Sequence, residues 1–269
     1  MIKVLVSGSG KMGREVLQAL SAEADMEPVG VVDALSGEEY ISISGSEALI
    51  PFSRDPAAII IRTHPDVIVD FTNAEWTPKL AEAALAANVR LVTGTSGLSD
   101  AFVQHLREEC QKRELGAVIA SNFAIGAILM QQMARLAARF YDTAEILEQH
   151  HDAKVDAPSG TSIATAKAIA EGHGGALSVP ETKIETVAGT RGNTVDGVTV
   201  HSVRLPGMVA HQEVIFGAPG ETLHIRHNTM DRASFMPGVI LAVREVMKLK
   251  ELVVGLDRLI GLDSDGTAG

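Results

Sequence analysis

The hydrophobic positions of this chain fall into two regimes. Through the first 120 residues, short continuous apolar runs alternate with stretches of helical period. The runs are IKVLV, PVGVV, DVIVDFT, VRLVTGT and GAVIASNF; REVLQALSAEA and AFVQHLREECQKREL are two of the helical stretches. Apolar strands separated by helices predict a parallel sheet covered on both faces. Beyond Phe123 the pattern changes. A helix is expected around residues 127–140, then a strand AEILEQHH, a helix SIATAKAIAEG opening after Pro158, and a glycine-rich stretch over residues 172–197. From Val198 strands dominate: VTVHSVR, HQEVIFG and ETLHIRHN alternate in part, and Ala218, Pro219 and Gly220 supply a turn that predicts an antiparallel hairpin. A helical run, GVILAVREVMKLK, resumes after Pro237 and is expected to pack back on the first domain, while the tail DSDGTAG holds no core-forming residue and is expected to fray.

The first strand runs into G-S-G-K-M-G, with Gly8, Gly10 and Gly13 opening a helical pattern. A strand, a glycine-rich turn and a helix in that order form a dinucleotide context. The glycines allow a tight turn, backbone approach to a pyrophosphate and close packing of helix on strand, and the helix N-terminus favours the anion. The second strand ends in Asp33, about 20 residues on, where a carboxylate can accept hydrogen bonds from ribose hydroxyls. Its neighbour is Ala34, so a 2′-phosphate would meet repulsion with no adjacent cation. NADH is therefore favoured, with NADPH the alternative if Lys11 or a distant side chain supplies the charge. The next strand ends carry Asp70, Phe71 and Thr72, then Gly94, Thr95, Ser96 and Gly97, then Ser121, Asn122 and Phe123. Open α/β sheets bind ligands at such ends, and these turns are expected to line the nicotinamide half of the cleft.

The fold class is thus α/β: a Rossmann-type dinucleotide-binding domain over residues 1–122 plus 233–269, with a second α+β domain over residues 123–232. A net charge of −11 argues against nucleic acid or an anionic membrane as partner. No apolar stretch approaches the length of a membrane span, and a cytoplasmic location is expected. The single Cys110 cannot form an internal disulfide and reads as an inert thiol on a helix.

The chemistry concentrates in EQHHDAKVDAPSGT, residues 148–161. Adjacent His150 and His151 on a strand face opposite sides, so they should have different jobs. Imidazole titrates near neutral pH and Lys154 adds a positive donor, a pair suited to protonating a reacting group beside an anionic substrate. After Pro158, the N–H groups of Ser159, Gly160 and Thr161 at a helix start favour a carboxylate or phosphate. The plainer alternative is that the histidines and Lys154 decorate a strand end while Ser159 or Thr161 caps the helix. His201, His211, His224 and His227 match no common metal-ligand spacing, so no metal is expected and solvated strand histidines are the default. Arg204, Arg226 and Arg232 are candidate partners for substrate carboxylates, yet strand and turn arginines more often pair with surface acids, and they are left out of the site.

Taken together, GSGKMG, VDFT at residues 69–72, GTSG at 94–97, SNFAIG at 121–126 and above all EQHHDAKVDAPSGT resemble the 4-hydroxy-tetrahydrodipicolinate reductase (dihydrodipicolinate reductase) family over nearly the whole chain. The resemblance implies His150 as proton donor or acceptor and Lys154 as a second proton donor. It also implies His151 as a substrate contact, and Gly160 and Thr161 as holders of a substrate carboxylate. Cofactor contacts are implied from Gly8, Ser9, Gly10, Lys11, Met12 and Gly13, from Asp33, from Gly94, Thr95 and Ser96, and from Ala120, Ser121, Asn122 and Phe123. Ser96 stands where many members have a second threonine, and Ala34 where some NADPH-tolerant members have arginine. The implied reaction is NAD(P)H-dependent reduction of a cyclic dicarboxylate with loss of water, on the lysine and diaminopimelate route. A homotetramer built through the strand-rich domain, and domain closure, are also implied. A dehydrogenase acting on aspartate or homoserine, or an NAD sensor, would share the glycine loop and Asp33 but has no need of His150, Lys154 and the Pro-Ser-Gly-Thr turn.

Overall fold

The computed structural model describes residues 1–43 and 48–262, and the tail expected to fray lies outside them. The chain divides into two compact units, Met1–Phe123 with Phe235–Gly269, and Ala124–Ser234.

The first unit begins β1 (Ile2–Ser7), α1 (Lys11–Ala22), β2 (Met26–Val32), β3 (Tyr40–Ser42), β4 (Leu49–Ser53), α2 (Pro56–Thr63), β5 (Val67–Asp70), α3 (Trp76–Ala86), β6 (Arg90–Thr93), α4 (Asp100–Arg113) and β7 (Ala117–Ile119). Local chemistry sets the helix starts. Asp55 accepts from the N–H groups of Ala57 and Ala58 ahead of α2, with Pro56 in its first turn, and Ser99 accepts from Phe102 N–H ahead of α4. The strands are buried on both faces, as their continuous apolar runs require: Val4, Leu5, Val67, Ile68, Val69 and Val92 are all fully buried.

The second unit holds α5 (Ile125–Ala137), β8 (Thr143–His150), α6 (Gly160–His173), β9 (Asn193–Val195), β10 (Val198–Arg204), β11 (Ala210–Ala218) and β12 (Glu221–Thr229). The first of these helices lies slightly N-terminal of the span expected from periodicity. Its five strands lie in the order β12-β11-β8-β10-β9, and β11 and β12 form the antiparallel hairpin, Ala218 opposite Glu221 across Pro219 and Gly220. Helices α5 and α6 pack so closely that a Cβ on Gly172 would lie 2.1 Å from the Arg135 carbonyl. Ala134, Ala166 and Ile169 from them meet Ile146, Val200, Val214 and Phe216 from the sheet. Burying each such large aliphatic side chain contributes about 1.5–3 kcal/mol. The other sheet face carries ion pairs: Glu145 with Arg191 and His201, and Glu213 with His224.

The chain then returns to the first unit with α7 (Met236–Val246) and β13 (Leu252–Val254). β13 adds a parallel edge to β7, completing the order β13-β7-β6-β5-β1-β2-β4-β3, in which only β3 runs antiparallel. Arg244 on α7 ties this return to the β1 side of the unit through Glu23 and Asp25. Among the described residues no helix is long and apolar enough to cross a membrane.

Candidate active site

In the first unit the three glycines of the β1–α1 corner do three different jobs. Gly8 has φ +100°, a left-handed conformation that makes the turn. A Cβ on Gly13 would lie 1.9 Å from the Gly8 carbonyl oxygen, so α1 can sit this close to β1 only without a side chain there. A Cβ on Gly10 would meet nothing within 4 Å, leaving its backbone open to a ligand. Among the described residues the N–H groups of Lys11, Met12 and Gly13 have no hydrogen-bond partner, the usual state of a helix start and a favourable place for a phosphate. Asp33 reaches back to this turn, accepting from Ser9 N–H and Ser9 Oγ, each at 2.7 Å, and from Leu35 N–H at 2.9 Å. Burial raises its carboxyl, but these bonds outweigh that and hold it below the ordinary value. The corner therefore fits a dinucleotide: open backbone and unpaired N–H groups for the pyrophosphate, and an ionised carboxylate for a ribose. Ala34 is exposed beside it. Arg54, which sequence reasoning passed over, donates from Nε to the Ser36 carbonyl at 2.9 Å, so a cation does border the Asp33 turn. It comes from the end of β4, and only the pairing of β4 with β2 brings it there.

At the ends of β5 and β6 the expectation is corrected in one respect. Asp70 does not line a cleft: it is fully buried, and four threonine hydroxyls donate to it. Thr77, Thr93 and Thr95 reach Oδ2 at 2.6, 2.9 and 3.0 Å, and Thr72 reaches Oδ1 at 2.7 Å. Hydroxyl donors let an acid lie in the core, and here they pin the turn carrying Gly94, Thr95 and Ser96. A Cβ on Gly94 would lie 2.1 Å from the Phe71 ring, which packs edge-on against Phe123. Ala120 and Phe123 are buried, so contacts from them would come through backbone; Ser96 and Ser121 are exposed and Asn122 half-buried.

In the second unit, β8 delivers the signature. Alternation along the strand puts Glu148 and His150 on one face, and the parallel register with β10 sets Arg204 opposite His150. Glu148 is fully buried; His150 Nδ1 lies against its Oε2, and Arg204 donates from Nη1 to Oε2 at 3.0 Å and from Nη2 to Oε1 at 2.8 Å. Burial raises the Glu148 carboxyl, yet bonds from His150, Arg204 and Ser202 overcome it and hold it at about 2. It is therefore ionised, so His150 Nδ1 carries the proton it donates, and Nε2 has no partner among the described residues. Arg204, expected to meet a surface acid, instead meets a buried one. His151 is exposed, and Lys154 donates to Asp156 at 2.7 Å.

Helix α6 starts where the Pro-Ser-Gly-Thr turn predicts. Ser159 caps it, accepting from Ser162 N–H at 3.2 Å, while the N–H groups of Gly160 and Thr161 have no partner among the described residues. The cap and the anion-favouring backbone thus coexist. A buried chain fixes this turn to β11: Ser162 Oγ donates to Gln212 Oε1, and Gln212 Nε2 donates to Thr165, both at 2.8 Å. The default of solvated strand histidines fails for His211, which is buried with Nδ1 unpartnered among the described residues, and the pKa of His227 is lowered by burial and then by His211. Cys110 is buried, and burial pushes its thiol up to about 11.

Comparison with known proteins covers both units. Residues 2–123 match the family model described as dihydrodipicolinate reductase, N-terminus, and residues 126–260 match dihydrodipicolinate reductase, C-terminus. Among curated relatives, a 4-hydroxy-tetrahydrodipicolinate reductase of Dehalococcoides mccartyi is 44% identical over 97% of this chain and 99% of its own. One from Shouchella clausii is 45% identical over 97% of this chain and the whole of its own. A solved structure of dipicolinate-bound dihydrodipicolinate reductase from Paenisporosarcina sp. TG-14 superposes with a TM-score of 0.86 at 39% identity, covering 96% of this chain and 99% of that one. An amine dehydrogenase from Mycobacterium smegmatis, at 14% identity and a TM-score of 0.65, shares the fold alone.

Proposed function

This chain belongs to the dihydrodipicolinate reductase family, a family of pyridine-nucleotide-dependent reductases, and on that premise we propose that it reduces (2S,4S)-4-hydroxy-2,3,4,5-tetrahydrodipicolinate to (S)-2,3,4,5-tetrahydrodipicolinate with loss of water. The reaction belongs to lysine and diaminopimelate biosynthesis. The observation that carries this reading is His150, with Nδ1 held by an ionised carboxylate and Nε2 unengaged among the described residues, ten residues before a helix start whose Gly160 and Thr161 N–H groups are likewise unpaired.

Bound nicotinamide supplies the hydride. The substrate becomes a conjugated imine once water has left, and a hydride added at one ring carbon requires a proton at its neighbour. His150 Nε2 is the donor in this reading, and Lys154, released from Asp156 when an anion arrives, is the second. Gly160 and Thr161 N–H groups hold one substrate carboxylate and His151 contacts the substrate, so that charge is met by backbone dipoles without a bulk of basic residues. In the first unit Gly8, Ser9, Gly10, Lys11, Met12 and Gly13 hold the pyrophosphate and Asp33 the adenosine ribose. Gly94, Thr95 and Ser96 with Ala120, Ser121, Asn122 and Phe123 hold the nicotinamide half. NADH is preferred because Asp33 is ionised and Ala34 offers no cation, while Arg54 gives NADPH a foothold. The enzyme works as a homotetramer joined through its strand-rich unit, in the cytoplasm, with no nucleic-acid or membrane partner.

The test generates substrate in place from pyruvate and aspartate semialdehyde with the preceding synthase and follows the reduced nicotinamide absorbance. Oxidation that depends on the synthase, faster with NADH than with NADPH and lost in His150→Ala with Lys154→Ala, is the expected result. Binding of both cofactors without consumption of either would overturn the reading in favour of a sensor or another substrate.

A further inference from the structure

We propose that Glu148 and Arg204 form a buried carboxylate–guanidinium pair that fixes the ring orientation and the Nδ1–H tautomer of His150, making both of them positioning residues for proton transfer at Nε2. The proposal rests on the reductase reading for its kinetic arm and on geometry for the rest.

An acid–base histidine must be stable both neutral and charged. Glu148 alone would not allow that: a fully buried carboxylate with a histidine as its only partner would hold the ring as imidazolium, since losing the proton would leave the carboxylate without a cation. Arg204 changes the balance. Its fork takes both Glu148 oxygens, at 2.8 and 3.0 Å, so the carboxylate stays compensated when His150 is neutral. The group of three then carries no net charge with neutral His150 and one positive charge with the imidazolium, and neither state leaves a buried ion unpaired. Because one Glu148 oxygen accepts from Nδ1 in both states, the proton that comes and goes is the one on Nε2, which no described residue engages.

The same guanidinium reaches further. Arg204 Nη2 also donates to the Asp156 carbonyl at 2.7 Å, and Nη1 to the Val203 carbonyl at 2.8 Å. Arg204 therefore links the His150 ring to the segment that carries Lys154 and Asp156. Among the described residues, the charged groups bonded to His150 or to its partner are Glu148 on its own strand and Arg204 on β10, and Arg204 in turn reaches the backbone of Asp156, which pairs with Lys154. On β11 the residue paired with His150 is Ala210, which adds no charge.

The two partners predict opposite effects, which general damage to the fold would not produce. In Glu148→Gln the imidazolium loses its counterion: the His150 limb of the kcat profile moves to lower pH, and kcat falls about 100-fold with KM and NADH affinity little changed. In Arg204→Met the carboxylate has only His150 to compensate it, and the same limb moves to higher pH. Limbs that stay in place, or that move in the same direction in both variants, would overturn the proposal. Nitrogen NMR of histidine-labelled wild-type protein needs no variant: in its neutral form His150 is expected with the proton on Nδ1 and a bare Nε2, and the opposite tautomer overturns the proposal even if both variants fail to fold. Since that spectrum is read without turnover, a wild-type protein inactive on the proposed substrate would sink the reductase reading and leave this one standing or falling by itself.

Discussion

Replacing Asp70 by Asn changes two atoms in the core and should be felt throughout the first unit. The carboxylate accepts four threonine hydroxyls, three on Oδ2 and one on Oδ1. The least costly placement of an amide puts its oxygen where Oδ2 stands, keeping Thr77, Thr93 and Thr95 as donors and turning the NH2 group toward Thr72. Those three bonds fall from charge-assisted to neutral strength, a loss of roughly 0.5–1.5 kcal/mol each, and the Thr72 bond is lost at about 1 kcal/mol or more. Burial of a neutral amide in place of an anion returns part of this, so the net destabilisation is about 2–3 kcal/mol. For a protein of this size that corresponds to a fall in Tm of roughly 4–12 °C. Asp70→Leu, which leaves all four hydroxyls without their acceptor, should cost more. Because Thr95 belongs to the turn expected to contact the nicotinamide, Asp70→Asn should also reduce the thermal stabilisation given by saturating NADH. Calorimetry on the full chain, with and without NADH, measures both. A Tm within about 1 °C of wild type would refute the reasoning, since it would mean that the hydroxyls add nothing beyond what a neutral acceptor provides.

Gly10 and Gly13 lie three residues apart, yet their substitution should have opposite consequences. Gly10→Val has open space around it and should leave Tm within about 2 °C of wild type while weakening NADH binding at least about tenfold. Gly13→Ala would drive a Cβ against the Gly8 backbone and should cost about 1–3 kcal/mol of stability, read by denaturant unfolding. Equal effects of the two on stability would contradict these assigned roles. Glu148 sets an acid limit: its carboxyl is held at about 2 against an ordinary 4.5, so its contribution is fully present above about pH 5 and is lost as pH falls toward 2. That contribution is about 3 kcal/mol. Unfolding free energy measured from pH 6 to 2 should therefore fall more steeply in wild type than in Glu148→Gln, and parallel curves would refute the account.

The sequence by itself determined the features that depend on neighbours along the chain. The continuous apolar runs could only be strands buried on both faces, the glycines had to be at a strand–helix corner, Pro219-Gly220 had to turn a hairpin, and Ser159 with Gly160 and Thr161 had to open a helix. Each follows from local sterics, periodicity or unpaired helix N–H groups, which a linear reading contains. The tertiary structure alone decided the pairings between distant positions. Strand register set Arg204 opposite His150 and turned an arginine expected to meet a surface acid into the compensating charge for Glu148. Sheet order brought Arg54 to the Asp33 turn, added the short strand after α7 as an outer edge, and gathered four threonines from three segments around Asp70. The side-chain partners among them lie from 2 to 56 positions apart, and nothing in composition or spacing marks such partners. The cost of a buried charge is met only when folding brings its donors within hydrogen-bond distance, so the polar core of this protein had to be seen in three dimensions.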